Sequence, residues 1–190
     1  LKREAIMQPM VASGVATGFQ TTEAGTQAAP FTLSGGWDRT DMSTQTGDSW
    51  FDGGNTACSS VYVASAYWNA ERLSFVRSFY GLNHAASAFC TIDRIGGAGC
   101  INTLINTGGH TTATNIRACS AGAIYSQISS EYSRYSDVVC YGGVPAVQMN
   151  AGFCEISDFD IRLSHYGMIK TAYSGSVLLR DGITNQGAAS

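Results

Sequence analysis

Two Ser-Asp pairs, Ser136-Asp137 and Ser157-Asp158, stand 21 residues apart, and Asp160 follows the second. If strands recur at that interval, the carboxylates of Asp137 and Asp158 sit one rung apart, about 5 Å. That separation suits the acid and nucleophile of a retaining glycosidase. The competing and favoured reading is structural: a Ser-Asp pair opens a turn, where both side chains accept hydrogen bonds from backbone N–H groups. Arginines recur as well. Arg94, Arg117 and Arg162 each stand five residues before a glycine, and Arg77 four before one. Beside Asp137, Asp158 and Asp160, Arg117 or Arg162 would serve as the base of a lyase whose carboxylates hold Ca²⁺. The plainer account is a ladder of solvated arginines, each close to an aspartate such as Asp93 or Asp160.

Gly47-Asp48-Ser49, with Asp52 and Asn55 behind it, is similar to the nucleophile block of SGNH/GDSL hydrolases. Such a resemblance implies Ser49 as an ester-attacking nucleophile. The residues argue against it. Met42 to Thr46 is too polar for the buried parallel strand that must carry the nucleophile, and no Asp-x-x-His stands near the C-terminus. Asp52-Gly53-Gly54 reads as a turn. Tyr125, Tyr141, Tyr166 and Tyr173 are the candidate binding residues, because exposed tyrosines on a β face suit sugar stacking or a protein interface. His84, His110 and His165 are scattered, and none of the six cysteines forms C-x-x-C, so neither a metal nor another cofactor is expected. The cysteines read as small buried hydrophobes in preference to bridges, with Cys119 expected to stack on Cys140.

The elements that must position these residues are strands. Charged residues make up only 13% of the 190-residue chain, well below the usual quarter, and Ser, Thr, Gly and Ala take their place. The net charge of −3 comes with no basic run, which argues against nucleic acid as a partner. No apolar stretch approaches the ~18 residues of a membrane span. The chain opens at Leu1, which reads as a processed chain or a fragment.

A glycine followed by an apolar residue recurs at Gly81, Gly99, Gly122, Gly143, Gly167 and Gly182, each time after a short alternating apolar run. A period near 20 residues marks a stacked repeat architecture. The leading strands are expected at Leu73–Arg77, Thr91–Ile95, Asn115–Cys119, Asp137–Cys140, Phe159–Leu163 and Val177–Arg180. Residues 1–30 differ: a charged stub and a small-residue stretch predict an N-terminal arm, either a linker or an attachment arm for a partner chain. Residues 31–190 predict one all-β, right-handed parallel β-helix, in which coils bury each other's apolar faces.

Thr32-Leu33-Ser34-Gly35-Gly36-Trp37, then Phe51-Asp52-Gly53-Gly54-Asn55 and the strands after them, resemble the opening of right-handed parallel β-helix domains. The similar families are pectate-lyase-like domains, polymorphic outer-membrane protein repeats and phage tailspikes, and the likeness covers residues 31–187. It implies a non-enzymatic structural or adhesive solenoid of a cell-surface or virion assembly. The alternative it implies is a carbohydrate-active lyase or glycoside hydrolase. Extracellular, cell-surface or virion localisation goes with both, as does a cell-surface polysaccharide partner. Homo-oligomerisation through the N-terminal arm is the expected mode of assembly.

Overall fold

The computed structural model describes residues 10–12, 15–21, 24–38, 43–84, 89–106, 108–119, 122–126, 132–142, 147–149, 152–164, 168–170 and 175–186. Fourteen strands and no helix are found among them. They begin with β1 (Met10–Ala12), β2 (Val15–Thr21), β3 (Phe31–Ser34), β4 (Ser49–Val63) and β5 (Trp68–His84). Next come β6 (Cys90–Ala98), β7 (Asn102–Asn106), β8 (Thr111–Cys119), β9 (Gly122–Ser126) and β10 (Ser133–Tyr141). The last are β11 (Val147–Met149), β12 (Gly152–Ser164), β13 (Met168–Lys170) and β14 (Gly175–Gln186).

The strands stack as two parallel ladders joined through the long strands β4 and β5, which makes the chain a β-solenoid. In the first ladder, β3 and the start of β4 pair with β5, followed in order by β6, β8, β10, β12 and β14. In the second, β2 pairs with the end of β4, followed by the end of β5, β7, β9, β11 and β13. Val15–Thr21, part of the segment expected as an arm, is therefore a strand of the sheet. Among the described strands only β1 runs antiparallel, covering Val15–Thr17 of β2.

The core lies between the ladders. In β8 the buried residues are Thr111, Ala113, Ile116 and Ala118, while Thr112, Arg117 and Cys119 are exposed. Strict alternation would bury residue 115. Instead Asn115 adopts a left-handed conformation, which inserts one residue and bends the strand without turning its apolar face outward. The same bend recurs in register at Arg72, Arg94, Asn115, Asp137, Asp158 and Asp181, with φ between 50° and 57°. Left-handed residues also precede the first-ladder strands, at Tyr67, Phe89, His110 and Tyr132, and a further set follows them at Arg77, Gly99 and Gly142. Asn and Asp tolerate this region better than other non-glycine residues, which accounts for four of the six in the first set. The apolar columns stand between the bends. Val61, Leu82, Leu104, Ile124 and Val147 form a buried column in the second ladder, and Leu73, Ile95, Ile116, Val138 and Phe159 one in the first.

Two expectations about phase are corrected. The Gly-apolar pairs do not share one place in the rung. Gly99 is a left-handed corner, Gly122 opens β9 opposite Asn102, and Gly182 lies in β14 opposite Phe159. What recurs in register is the bend. Cys119 does not stack on Cys140: Cys119 pairs with Tyr141, and Cys140 with Ala118 and Ile161. The step from β8 to β10 is 22 residues, so two cysteines 21 apart fall on opposite sides of the strand.

Asp158 is an exposed left-handed residue in the bend column. Asp158→Gly is expected to raise stability by about 0.5–1 kcal/mol, and Asp158→Val to lower it by about 1–2 kcal/mol. Chemical denaturation of the three proteins checks the order Gly, Asp, Val.

Candidate functional site

An open groove of about 660 Å³ runs along the outer face of the first ladder. Its floor exists because side chains are missing. Along one outward column the register places Trp50, Ser74, Gly96, Arg117 and Val139 on successive rungs, so Gly96 leaves a notch between larger neighbours. Ala98 and Cys119 continue the small surface up to Tyr141. Trp50 is 67% exposed and Tyr141 41% exposed, so each end of the groove presents an aromatic ring to solvent.

One side of the groove is the bend column: Arg72, Arg94 and Asn115. A local excursion delivers the other end. After β3 the chain leaves the ladder at Gly35-Gly36 and returns at Ser49, and Trp37 and Gln45 bridge its two arms. A Cβ on Gly36 would meet the Gly47 carbonyl oxygen at 2.0 Å, and its φ is +76°, so only glycine fits there. Gln45 Nε2 donates to Ser34 Oγ at 2.6 Å and to the Gly35 carbonyl at 3.0 Å, which pins the excursion. Asp48 and Trp50 are thereby carried to the groove.

The polar lining is charged but largely matched. Arg94 Nε lies 3.0 Å from Asp48 Oδ1, out of line for a hydrogen bond, and that buried oxygen accepts none among the described residues. Asn115 Nδ2 donates to Asp93 Oδ1 at 2.7 Å. Arg117 Nη2 donates to Asp137 Oδ2 at 2.6 Å. Arg72 makes no ion pair with any described residue. The groove therefore offers the guanidinium of Arg72 to a bound molecule.

The sequence-derived candidates are dispersed by the register. Asp137 and Asp158 do stack one rung apart, both in the bend column. Asp160 lies in the next outward column, opposite Val139, and accepts from Arg162 Nε at 2.6 Å, an ion pair that raises the Arg162 pKa. Of these residues only Arg117 lines the groove. The arginine series is not one ladder: Arg94 is a bend, Arg77 a second corner, Arg117 shares a column with Gly96, and Arg162 pairs with Tyr141. Arg77 is paired with Asp52, and that ion pair holds the Asp52 carboxyl below its ordinary range. Tyr166 and Tyr173 lie outside the described residues, as do His165 and the side chain of Tyr125, whose backbone pairs with Ile105 and Gln148. Ser49 Oγ accepts from the Gly36 N–H at 3.0 Å, so Ser49 serves the excursion.

Two constellations escaped the sequence reading. Tyr67, half-buried, and the exposed Phe89, His110, Tyr132 and Phe153 form a column of rings, with centroids 5.3, 4.7, 5.5 and 6.2 Å apart. Their spacing of 22, 21, 22 and 21 residues was the available signal. Each stacked pair contributes about 0.5–1.5 kcal/mol beyond area burial. The stacked faces are used within the column, so solvent meets ring edges. The second constellation is internal. Cys90 Sγ lies 2.6 Å from His84 Nε2, and His84 Nδ1 lies 3.1 Å from Asn106 Oδ1. Asn106 Nδ2 donates to Ser133 Oγ and Tyr135 OH at 3.0 and 2.7 Å, which leaves its oxygen to accept from His84 Nδ1–H. Cysteine, histidine and asparagine in this order make a thiol relay when they face substrate. Here all three are buried, so the set is a satisfied core network. No cluster of three or more His, Cys, Asp and Glu that could hold a metal occurs among the described residues.

Comparison with protein-family models, with curated proteins and with solved structures finds no match to this chain.

Burial holds the His84 pKa at about 4, against 6.5 for the free side chain. The unfolded chain takes up this proton near pH 6.5 and the folded chain only near 4. Stability is therefore full above pH 6.5 and falls as the pH drops through that window, by about 3 kcal/mol for this residue. His84→Gln is expected to be less stable at pH 7 and to lose most of this slope, as thermal melts between pH 4 and 7 would show.

Proposed function

We propose that this chain is a non-catalytic, adhesive or structural β-solenoid domain that holds an extended polysaccharide along its groove, within a cell-surface or virion assembly. The observation that carries the proposal is the groove itself. Solvent-facing rings of Trp50 and Tyr141 stand at its two ends, and Asp48, Asp93, Asn115 and arginines lie between them. Trp50 and Tyr141 are separated by four rungs, about 19 Å at the ladder spacing, so a linear ligand lying along the solenoid axis touches both. Sugar rings stack on exposed aromatics, and their hydroxyls donate to carboxylates and accept from guanidinium and amide groups.

The non-catalytic reading follows from how the carboxylates are held. Asp137 and Asp160 are tied to Arg117 and Arg162 at the surface, and Asp93 is tied to Asn115. Asp137, Asp158 and Asp160 do not share the groove with one another. The pattern shared with polymorphic outer-membrane protein repeats and phage tailspikes agrees with an adhesive role outside the cell.

Gly96→Val fills the notch, and its new Cβ meets Ser74 Oγ at 2.7 Å, so the Ser74 hydroxyl must shift. A panel of immobilised polysaccharides is expected to retain the wild-type chain, with Gly96→Val and Tyr141→Ala binding at least about tenfold more weakly, a loss of ~1.4 kcal/mol each. Retention must occur without release of new reducing ends. Cleavage abolished by Asp93→Asn would instead establish the carbohydrate-active enzyme, and failure to retain the chain on any polysaccharide would remove both readings.

A further inference from the structure

The ends of the solenoid are shaped as complementary steps. At the N-terminal end the second ladder starts first: β2 pairs with the end of β4, one rung ahead of β3 and the start of β4. At the C-terminal end the first ladder finishes last: β14 pairs with β12, one rung beyond the level at which β13 pairs with β11. Among the described residues, the outer edges of β3, Ser49–Asp52, β13 and β14 have no strand partner. β1 covers Val15–Thr17 of β2 and leaves the outer edge of Phe19–Thr21 open.

The side chains at the two ends belong to the same columns. Following the register from rung to rung, Ile183 and Trp50 are the two ends of one outward column. They are 59% and 67% exposed. Val177 and Phe31 end one inward column, and Leu179 and Leu33 another. Leu179 and Phe31 are also exposed, although their columns are buried everywhere between Trp68 and Ile156 where a rung lies on each side. The bends match too: β14 turns at left-handed Asp181, and the N-terminal rung turns at Gly35 and left-handed Gly36.

We propose that a second copy of this chain docks head to tail on each end. β14 of one copy lies parallel against β3 and Ser49–Asp52 of the next, and Met168–Lys170 lies against Phe19–Thr21. The contact satisfies two pairs of open backbone edges and places Ile183 on Trp50 and Leu179 on Leu33. It is heterologous, so every added copy presents a fresh end and the assembly is an open linear series. The argument rests on backbone edges and end columns, and shares only Trp50 with the polysaccharide reading.

Sedimentation velocity of the full chain without polysaccharide tests it. The expected wild-type result is a mass series that lengthens with concentration. Trp50→Lys and Ile183→Lys, both at exposed outward positions, each spoil one end, so each variant alone sediments as a single chain. An equimolar mixture retains one good pairing and yields a species of twice that mass and nothing longer. Circular dichroism melts confirm that both variants fold. A wild-type chain that stays monomeric at its highest soluble concentration overturns the proposal. So does a single variant that still assembles, because that outcome means like ends pair with like.

Discussion

In-register parallel pairing is the constraint on which the rest depends. Every interior rung hydrogen-bonds to the rung above and the rung below, so a strand that bends must bend where its neighbours bend. A bend that keeps the apolar face inward needs one residue in the left-handed region, and the demand is repeated at each rung. The columns Arg72, Arg94, Asn115, Asp137, Asp158 and Asp181, and Tyr67, Phe89, His110 and Tyr132, are that demand written along the axis. Arginine and the aromatics pay conformational strain there that asparagine and aspartate largely avoid. The stacked rings offset part of it, since residues held in one column at the rung spacing meet face to face.

The same constraint makes the surface a set of columns, and one missing side chain then has a large effect. Gly96 opens a notch because Ser74 and Arg117 are fixed on either side of it. Charges follow the columns as well. Glu155 lies between Arg134 and Arg180, and Arg117 reaches Asp137, so these ion pairs run between neighbouring strands, whereas Arg162 meets Asp160 within β12. Such exposed pairs contribute little stability individually. Inside, His84, Cys90, Asn106, Thr111, Ser133 and Tyr135 form one polar network, whose hydrogen bonds replace those lost to water. Burial keeps His84 neutral, which is the state that this network needs.

The period and the strand class were legible in the sequence because alternation of apolar residues and a recurrence near 21 residues are properties of the chain alone. The Gly-apolar marker found the right period at the wrong phase, since glycine relieves strain or crowding at several different places in a rung. The bend column went unread because Arg, Asn and Asp are ordinary residues until their φ is known. Asp137 over Asp158 was placed correctly, since their strands step by 21 residues; Cys119 over Cys140 was not, since theirs step by 22. One residue of difference moves a side chain from the core to solvent. The groove was unreadable for a related reason. Asp48 and Trp50 reach it through an excursion held by Gln45, Ser34 and the Gly36–Gly47 approach, and Asp48 meets Arg94 across a rung that separates them.

By itself the sequence determined an all-β, stacked, weakly charged solenoid, because local alternation, turn residues and low charge leave few other ways to bury the apolar half of each strand. Only the tertiary structure decided which columns the side chains share. Register depends on the length of every intervening corner, and a column is a sum over rungs that no single segment contains.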